Sequence, residues 1–338
     1  MKKLLVVILV VIVVAAAGLG LYVRRELRVL GTPAEGLIIE IPHGLGAREI
    51  VGLLKEKKVI HSPAVALGYI LYTGARHKLQ AGEYFFEHPQ TIPEVVDKLA
   101  SGLVYLHHFT IAEGLTVETA AQKWEQEGYG SQEEFKKAAA GAVGLVRRFD
   151  DKATSVEGYL FPETYSFPAH TTSRQVIESM IARFQQIAAK LQQEVPEDKW
   201  PLSLHDTVIL ASLVETEAAL PDERPTIASV YMNRLSHHIL LQCDPTVIYA
   251  LEQSDRYQGR LTLADLRFNS PYNTYVVRGL PPTAIANPGY PSLRAAIQPA
   301  DTKFLYFVRT IDARHTFSET LAAHNRAVAA YRKLKRAS

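Results

Sequence analysis

A chain of 338 residues with 47% hydrophobic content is long enough for about two domains with cores of their own. Thirty-seven lysines and arginines against 35 acidic residues leave a formal charge of +2, and no basic run carries interleaved aromatics, so nothing marks a nucleic-acid surface. The single cysteine, Cys243, excludes an internal disulfide and leaves no cysteine cluster for a metal.

Leu4 to Val23 is an uninterrupted apolar run of membrane-spanning length behind Lys2 and Lys3. A cleaved signal peptide is the rival reading, with Ala15-Ala-Ala17 as its cleavage point. The run continues past those alanines, which favours a retained transmembrane helix over 4–23 with a tip at 1–3. No cysteine stands near residue 20, so lipoprotein processing is excluded. Arg24, Arg25 and Arg28 follow the span, and the positive-inside pattern alone therefore chooses no side.

A linker over 24–36, glycine- and proline-containing from Gly31 to Gly36, precedes a short strand at Leu37–Ile41. Ala47 to Lys57 reads as an amphipathic helix burying Ile50, Leu53 and Leu54. A second helix is expected over 63–72, a strand over 82–86 and a helix over 92–99. A boundary near Gly102 separates this module, 37–103, from the rest of the chain, 104–338. There a strand over 105–111 leads to a helix capped by Thr116, and further helices are expected over 132–139 and 173–193. Between them lies the irregular block Glu157-Gly-Tyr-Leu-Phe-Pro-Glu-Thr-Tyr165, in which Glu163 reads as a loop carboxylate or a catalytic one. A strand over 304–309, then His315-Thr-Phe317, and a helix closing at Lys335 complete the pattern, without internal repeat or low complexity.

The stretch from His205 to Pro282 is the most informative. A helix capped by Asp206 runs from His205 to Leu220 and stops at Pro221. Leu210, Leu213 and Val214 form a stripe whose next position is Glu217, while Glu215 lies on the other side with Val208, Ala211 and Ser212. Glu217 is either a frayed-end glutamate with its head in water, or a carboxyl held in an apolar wall and kept protonated as a general acid. Gln242-Cys-Asp-Pro-Thr-Val-Ile-Tyr249, Pro271-Tyr-Asn-Thr-Tyr275, Gly279-Leu-Pro-Pro282 and Ala286-Asn-Pro-Gly289 then read as an aromatic, amide-rich loop surface suited to sugars.

These segments, with Glu157–Tyr165, Ser229-Val-Tyr-Met-Asn-Arg-Leu235, Tyr306-Phe-Val308, His315-Thr-Phe317 and His324-Asn325, resemble the endolytic murein transglycosylases along the length of the chain. The resemblance implies an α+β fold: an N-terminal transmembrane helix, a small LysM-like β-α-α-β module that contacts glycan or acts as a spacer, and a larger mixed α+β catalytic domain outside the cytoplasm. It implies non-hydrolytic cleavage of the β-1,4 bond from N-acetylmuramic acid to N-acetylglucosamine in nascent strands, leaving 1,6-anhydro ends and terminating elongation. Glu217 is the implied acid and base, with Glu215 the runner-up and Glu163 and Asp244 further candidates. Family glutamates end such a helix and typically precede Ser or Thr; here Ala218 follows. Gln242, Tyr249, Asn273 and Tyr275 would hold the sugars, or serve as loop-capping amides and core tyrosines. Implied partners are peptidoglycan, its synthases and the elongation and division machinery; no metal or organic cofactor is indicated.

Other chemistries find less support. His315 and His324 do not share a helical face, and no HExxH pattern, phosphate-cradling glycine loop or GxSxG elbow occurs. Ser212 has no histidine in a nucleophile motif, and Cys243 is read as a half-buried cysteine before a thiol nucleophile. A hydrolytic muramidase with Asp244 activating water, and a non-catalytic glycan tether, remain as alternatives.

Overall fold

A computed structural model describes residues 2–310, 312 and 314–337. Met1 of the expected tip and Ser338 of the expected catalytic domain lie outside the described residues. The chain forms two compact units, one of residues 1–108 with 166–171 and one of 109–165 with 172–338.

The first unit begins with α1 (Lys2–Glu26), an apolar helix with no buried residue in its span. At 1.5 Å per residue its 25 residues reach about 37 Å, enough to cross a hydrocarbon core of about 30 Å. The module that follows runs β1 (Leu37–Ile41), α2 (Ala47–Glu56), α3 (Pro63–Thr73), β2 (Gly82–Phe86) and α4 (Ile92–Ser101). Strands β1 and β2 pair antiparallel, with Leu37 opposite Phe86 and Ile41 opposite Gly82. Alternation puts Ile39, Ile41, Tyr84 and Phe86 on one face, where Ile50, Val51, Leu54, Ile70, Val95 and Leu99 close the core. Val51 joins this core and Leu53 only packs beside it, one step around the helix from the expected stripe.

The expected linker at 24–36 is tied down at both ends. The helix continues through Glu26, Val23 and Leu27 pack on the module core, Gly31 N–H bonds Gln90 O at 2.9 Å, and Thr32 N–H bonds Lys58 O at 2.8 Å. A Cβ at Gly31 would stand 2.0 Å from the Val59 carbonyl oxygen, so only glycine permits that approach.

Strands β3 (Leu106–Thr110) and β4 (Thr164–Pro168) pair as a separate ribbon. In the second unit, α5 (Val117–Gln126), α6 (Gln132–Gly141), α7 (Val143–Val146) and α8 (Ser173–Glu194) precede α9 (Leu204–Glu217). Phe109, Trp124 and Phe135 are fully buried and pack edge-to-face or tilted at ring distances of 5.1–6.4 Å. Then come α10 (Arg224–Ser236), α11 (Asp244–Glu252), α12 (Tyr290–Ile297), β5 (Tyr306–Arg309), β6 (His315–Ser318) and α13 (Leu321–Ala337), with β5 and β6 antiparallel.

Helix α9 is the centre of this unit. Thr207 through Val214 are buried on every side, and α12, α10 and α11 pack around it. Its cap is Ser203, whose Oγ accepts the Asp206 N–H at 3.2 Å; Asp206, expected as the cap, sits three residues inside and accepts the Ser203 hydroxyl. It ends at Glu217, three residues before the expected stop, because Ala218 is already extended. Helix α11 occupies most of a segment expected to be loop: Pro245 reads as a breaker but is tolerated in a first helical turn.

Gly158, in the 157–165 block, has φ +90°, and a Cβ there would lie 2.5 Å from Ala284 and 2.7 Å from Val208 of α9. Gly158→Ala therefore combines a left-handed strain with overpacking, and is expected to lower stability by about 1–3 kcal/mol in chemical denaturation.

Candidate active site

At the end of α9 three polar residues follow eight buried ones, and each has a different fate. Glu215 is drawn into an ion pair: Arg224 Nη2 donates to its Oε1 at 2.9 Å, and Gly289 N–H donates to Oε2 at 2.9 Å. Both side chains are almost wholly shielded, and Arg224 Nε continues to Ser292 Oγ at 2.9 Å. Thr216 returns its hydroxyl to the Ser212 and Leu213 carbonyls. Glu217 turns its carboxyl into a cleft of about 370 Å³ that Thr216 also borders, lined further by Arg234, Gln242, Asp244, Tyr275, Phe307 and His315.

The Glu217 carboxyl is half-buried, and its two donors are weak. Tyr231 of α10 donates its hydroxyl to Oε1 at 3.3 Å, and the Cys243 thiol donates to the same oxygen at 3.5 Å. Burial pushes the carboxyl up to about 7; the Cys243 and Tyr231 hydrogen bonds oppose the rise and the charge of Asp244 adds to it. The group is thus poised to give and take a proton near neutrality. Burial and the Glu217 carboxylate together push the Cys243 thiol up, which removes the thiolate a nucleophilic role needs.

The floor of the cleft is built around Arg234, one turn after Tyr231 on α10. Its guanidinium donates to Leu305 O at 2.6 Å, to Leu240 O and Leu241 O, and to Gln242 Oε1 at 3.1 Å, and it lies 5.0 Å from the Tyr306 ring centre. Gln242 is held at φ +52°, a left-handed conformation that costs a non-glycine residue of order 1 kcal/mol or more. Its N–H to Thr274 O and its side chain on Arg234 keep it there. Tyr275 donates its hydroxyl to Asp244 Oδ1 at 2.5 Å. On the β5–β6 side, His315 Nδ1 meets Glu223 Oε2 at 2.8 Å, and His324 stacks on Tyr306.

The residues singled out from the sequence therefore divide. Glu217, Gln242, Asp244 and Tyr275 meet in one cleft. Tyr249 and Asn273 are placed elsewhere: Tyr249 is buried with its hydroxyl on Glu157 at 3.3 Å, and Asn273 is fully buried, donating to Leu266 O and Phe268 O and accepting the Tyr275 N–H. Asn273 shapes the loop that carries Tyr275, and the amide is consumed in doing so. Glu163 is on the surface, bridged twice to Arg183 at 2.6 and 3.2 Å. Tyr231, Arg234 and His315 stand in blocks that carry the family resemblance, but the sequence assigns them no role at this site. The spacing of Tyr231 and Arg234, three apart on a helix, puts both on one face, whereas the pairing of His315 with Glu223, 92 residues away, leaves no local pattern.

A second buried carboxyl has a different character. Glu157 accepts Val117 N–H at 3.0 and 3.2 Å at the start of α5, and burial pushes it up to about 8. It closes a helix end inside the protein.

The family model described as the YceG-like family matches residues 39–330. A protein of Bacillus subtilis (strain 168) named endolytic murein transglycosylase is 34% identical over 308 residues, covering 87% of this chain and 84% of that protein. One of the same name from Streptococcus pneumoniae is 26% identical over 330 residues, 86% of this chain but 57% of the longer streptococcal protein. The crystal structure of a YceG-like protein from Listeria monocytogenes superposes with a TM-score of 0.59 at 30% identity, covering 87% of this chain and 99% of that one. The chain belongs to the YceG-like family.

Proposed function

We propose that this protein is a membrane-anchored endolytic peptidoglycan lytic transglycosylase with Glu217 as its acid and base. The observation that carries this reading is the Glu217 carboxyl at the end of a buried helix, facing an open cleft and titrating at about 7. The names of the Bacillus and Streptococcus relatives support the reaction class.

In the reaction, protonated Glu217 gives its proton to the glycosidic oxygen between C1 of N-acetylmuramic acid and the departing N-acetylglucosamine. The C1–O bond breaks, and the sugar leaves as an alcohol. The carboxylate left behind takes the proton of the C6 hydroxyl, whose oxygen closes on C1 to give the 1,6-anhydro end. Glu217 finishes protonated, as it began. A glycosidase that uses water needs a second carboxyl as base or nucleophile. Asp244 is the carboxylate nearest that role, but it is already engaged by the Tyr275 hydroxyl, which favours the one-carboxyl route. Gln242 and Tyr275 are the sugar contacts in this reading, with Arg234 fixing Gln242.

The apolar α1 is read as a retained single-pass anchor with residues 1–3 on the cytoplasmic side and the rest extracytoplasmic. The β1-α2-α3-β2 order over 37–103 supports a LysM-like module. Peptidoglycan synthases and the elongation and division machinery are the partners of an enzyme that ends nascent strands.

Glu217→Gln is expected to release anhydro-muropeptides from purified sacculi at least about 10²-fold more slowly than the parent, because acid–base catalysis contributes about 10²–10⁴-fold. Glu215→Ala is expected to act on the fold, costing about 3 kcal/mol by leaving the buried Arg224 with the 3.7 Å contact to Glu113 as its charge partner. Mass analysis of the products decides the class: reducing ends would mean a muramidase, and no cleavage a glycan tether.

The same variant has an opposite effect on stability. Glu217 rises from 4.5 to about 7 on folding, so between those values the folded chain holds a proton that the unfolded chain has released. Stability therefore falls as pH rises through that window. Glu217→Gln removes the slope. It should be about 1–3 kcal/mol more stable than the parent at pH 8, with the gain vanishing at pH 4. Denaturation of both proteins across pH 4–8 measures this; a gain independent of pH would show that Glu217 does not titrate there.

A further inference from the structure

Helix α3 is a surface helix without a single charge. Its inner face, Val65, Ala66 and Ile70, closes the module core. Its outer face should then be polar, as on an ordinary surface helix. Instead Ala64, Gly68, Leu71 and Tyr72, at spacings of four, three and one, make an exposed apolar stripe, with Tyr72 90% and Leu71 55% exposed. The stripe borders a groove of about 590 Å³ between α3 and the last turns of α1, walled by Leu19, Tyr22, Val23 and Leu27 on one side and Val65 and Tyr69 on the other. Tyr22 is also exposed.

The groove is continuous with the apolar surface of α1, which has no buried residue along its length. Because Val23 and Leu27 pack into the module core and Gly31 and Thr32 are bonded to the module, α3 is held beside the end of α1. Exposed cations stand at the ends of both elements: Arg24 and Arg25 in the last turn of α1 with Arg28 just beyond it, and Arg76 and Lys78 after α3. An apolar stripe flanked by tyrosines, with cations beyond it, matches the layering of acyl chain, interface and phosphate in a bilayer. A protein partner would leave the cations and the continuity with α1 unaccounted for.

We propose that α3 lies in the surface of the lipid bilayer, with Leu71 and Tyr72 inserted among acyl chains, a lipid chain filling the groove, and the cations on lipid phosphates. This rests on α1 spanning the membrane, and it makes the module a second membrane contact that fixes its tilt.

The test uses the full-length chain in lipid nanodiscs containing anionic lipid and lipids brominated along the acyl chain, reading tryptophan quenching. Leu9→Trp probes the span, Tyr72→Trp the proposed contact, and Glu56→Trp, on the exposed side of α2, the aqueous surface. The parent, whose tryptophans are Trp124 and Trp200, supplies the background. Tyr72 is almost fully exposed, so its replacement leaves the fold intact. The proposal expects bromine quenching and a blue-shifted emission for Tyr72→Trp, deeper quenching for Leu9→Trp, and none for Glu56→Trp. Quenching of Leu9→Trp with a water-exposed Tyr72→Trp would overturn the contact and leave the anchor standing. Loss of quenching at both would overturn the anchor and the contact with it. Quenching at all three would mean a module adhering without orientation, which also overturns the proposal.

Discussion

A helix with no solvent face is the constraint on which the second unit depends. From Thr207 to Val214 every side chain of α9 is buried, so neighbours must surround it completely, and α10, α11 and α12 do so. Burial of that kind is favourable only while the helix stays apolar; its polar end has to be satisfied within one turn. Glu215 is satisfied by Arg224 and the Gly289 N–H, and Thr216 by its own helix. Glu217 is left as the carboxyl at the helix end that faces the cleft, with Thr216 beside it. The candidate acid is thus placed where a buried element meets solvent, and the helices that surround α9 position it by closing the core.

Much of this was legible in the residues, for identifiable reasons. Periodicity located nearly every element of the first unit, because its strands are half-buried and its helices amphipathic, the two conditions under which patterns of two and 3.6 are clean. It was less informative for α10, α11 and α12, which carry Pro225, Pro245 and Pro291 in their first turns: the α11 segment reads as loop, and α10 and α12 are assigned no element. A helix buried on most sides has no polar face to mark its period, and proline within a first turn looks like proline in a turn. The stripe argument isolated Glu217 from Glu215 correctly in geometry: the two carboxyls have different surroundings. It misjudged what surrounds Glu215, because an ion pair with a residue beyond the helix end leaves no periodic trace.

The contrast between Glu217 and Glu157 separates proton affinity from a place to use it. Both carboxyls are raised by burial, Glu157 to about 8 and Glu217 to about 7. Ranked by the size of the shift, Glu157 would come first. Yet both of its oxygens face the Val117 N–H, with the Tyr249 hydroxyl beside it, so no substrate atom has an approach. A perturbed carboxyl becomes a catalytic candidate only with a cleft at its free edge.

The donors of Glu217 complete the argument. Two hydrogen bonds, at 3.3 and 3.5 Å, hold Oε1. One comes from a thiol, a weak donor, and both thiol and phenol are themselves buried and pushed up, so neither releases its proton to the carboxylate. Stronger donors, such as the guanidinium and backbone N–H that hold Glu215, would fix the carboxylate and favour its ionised form. A thiol and a phenol orient the group while leaving it pushed up to about 7, so that both of its protonation states are accessible near neutral pH. For a residue proposed to give a proton to the departing N-acetylglucosamine and take one from the C6 hydroxyl of the N-acetylmuramic acid, that balance matters more than tight holding. In the proposed reaction Cys243 and Tyr231 thus act through Glu217 without touching the substrate, and their weakness as donors is what keeps its proton exchangeable.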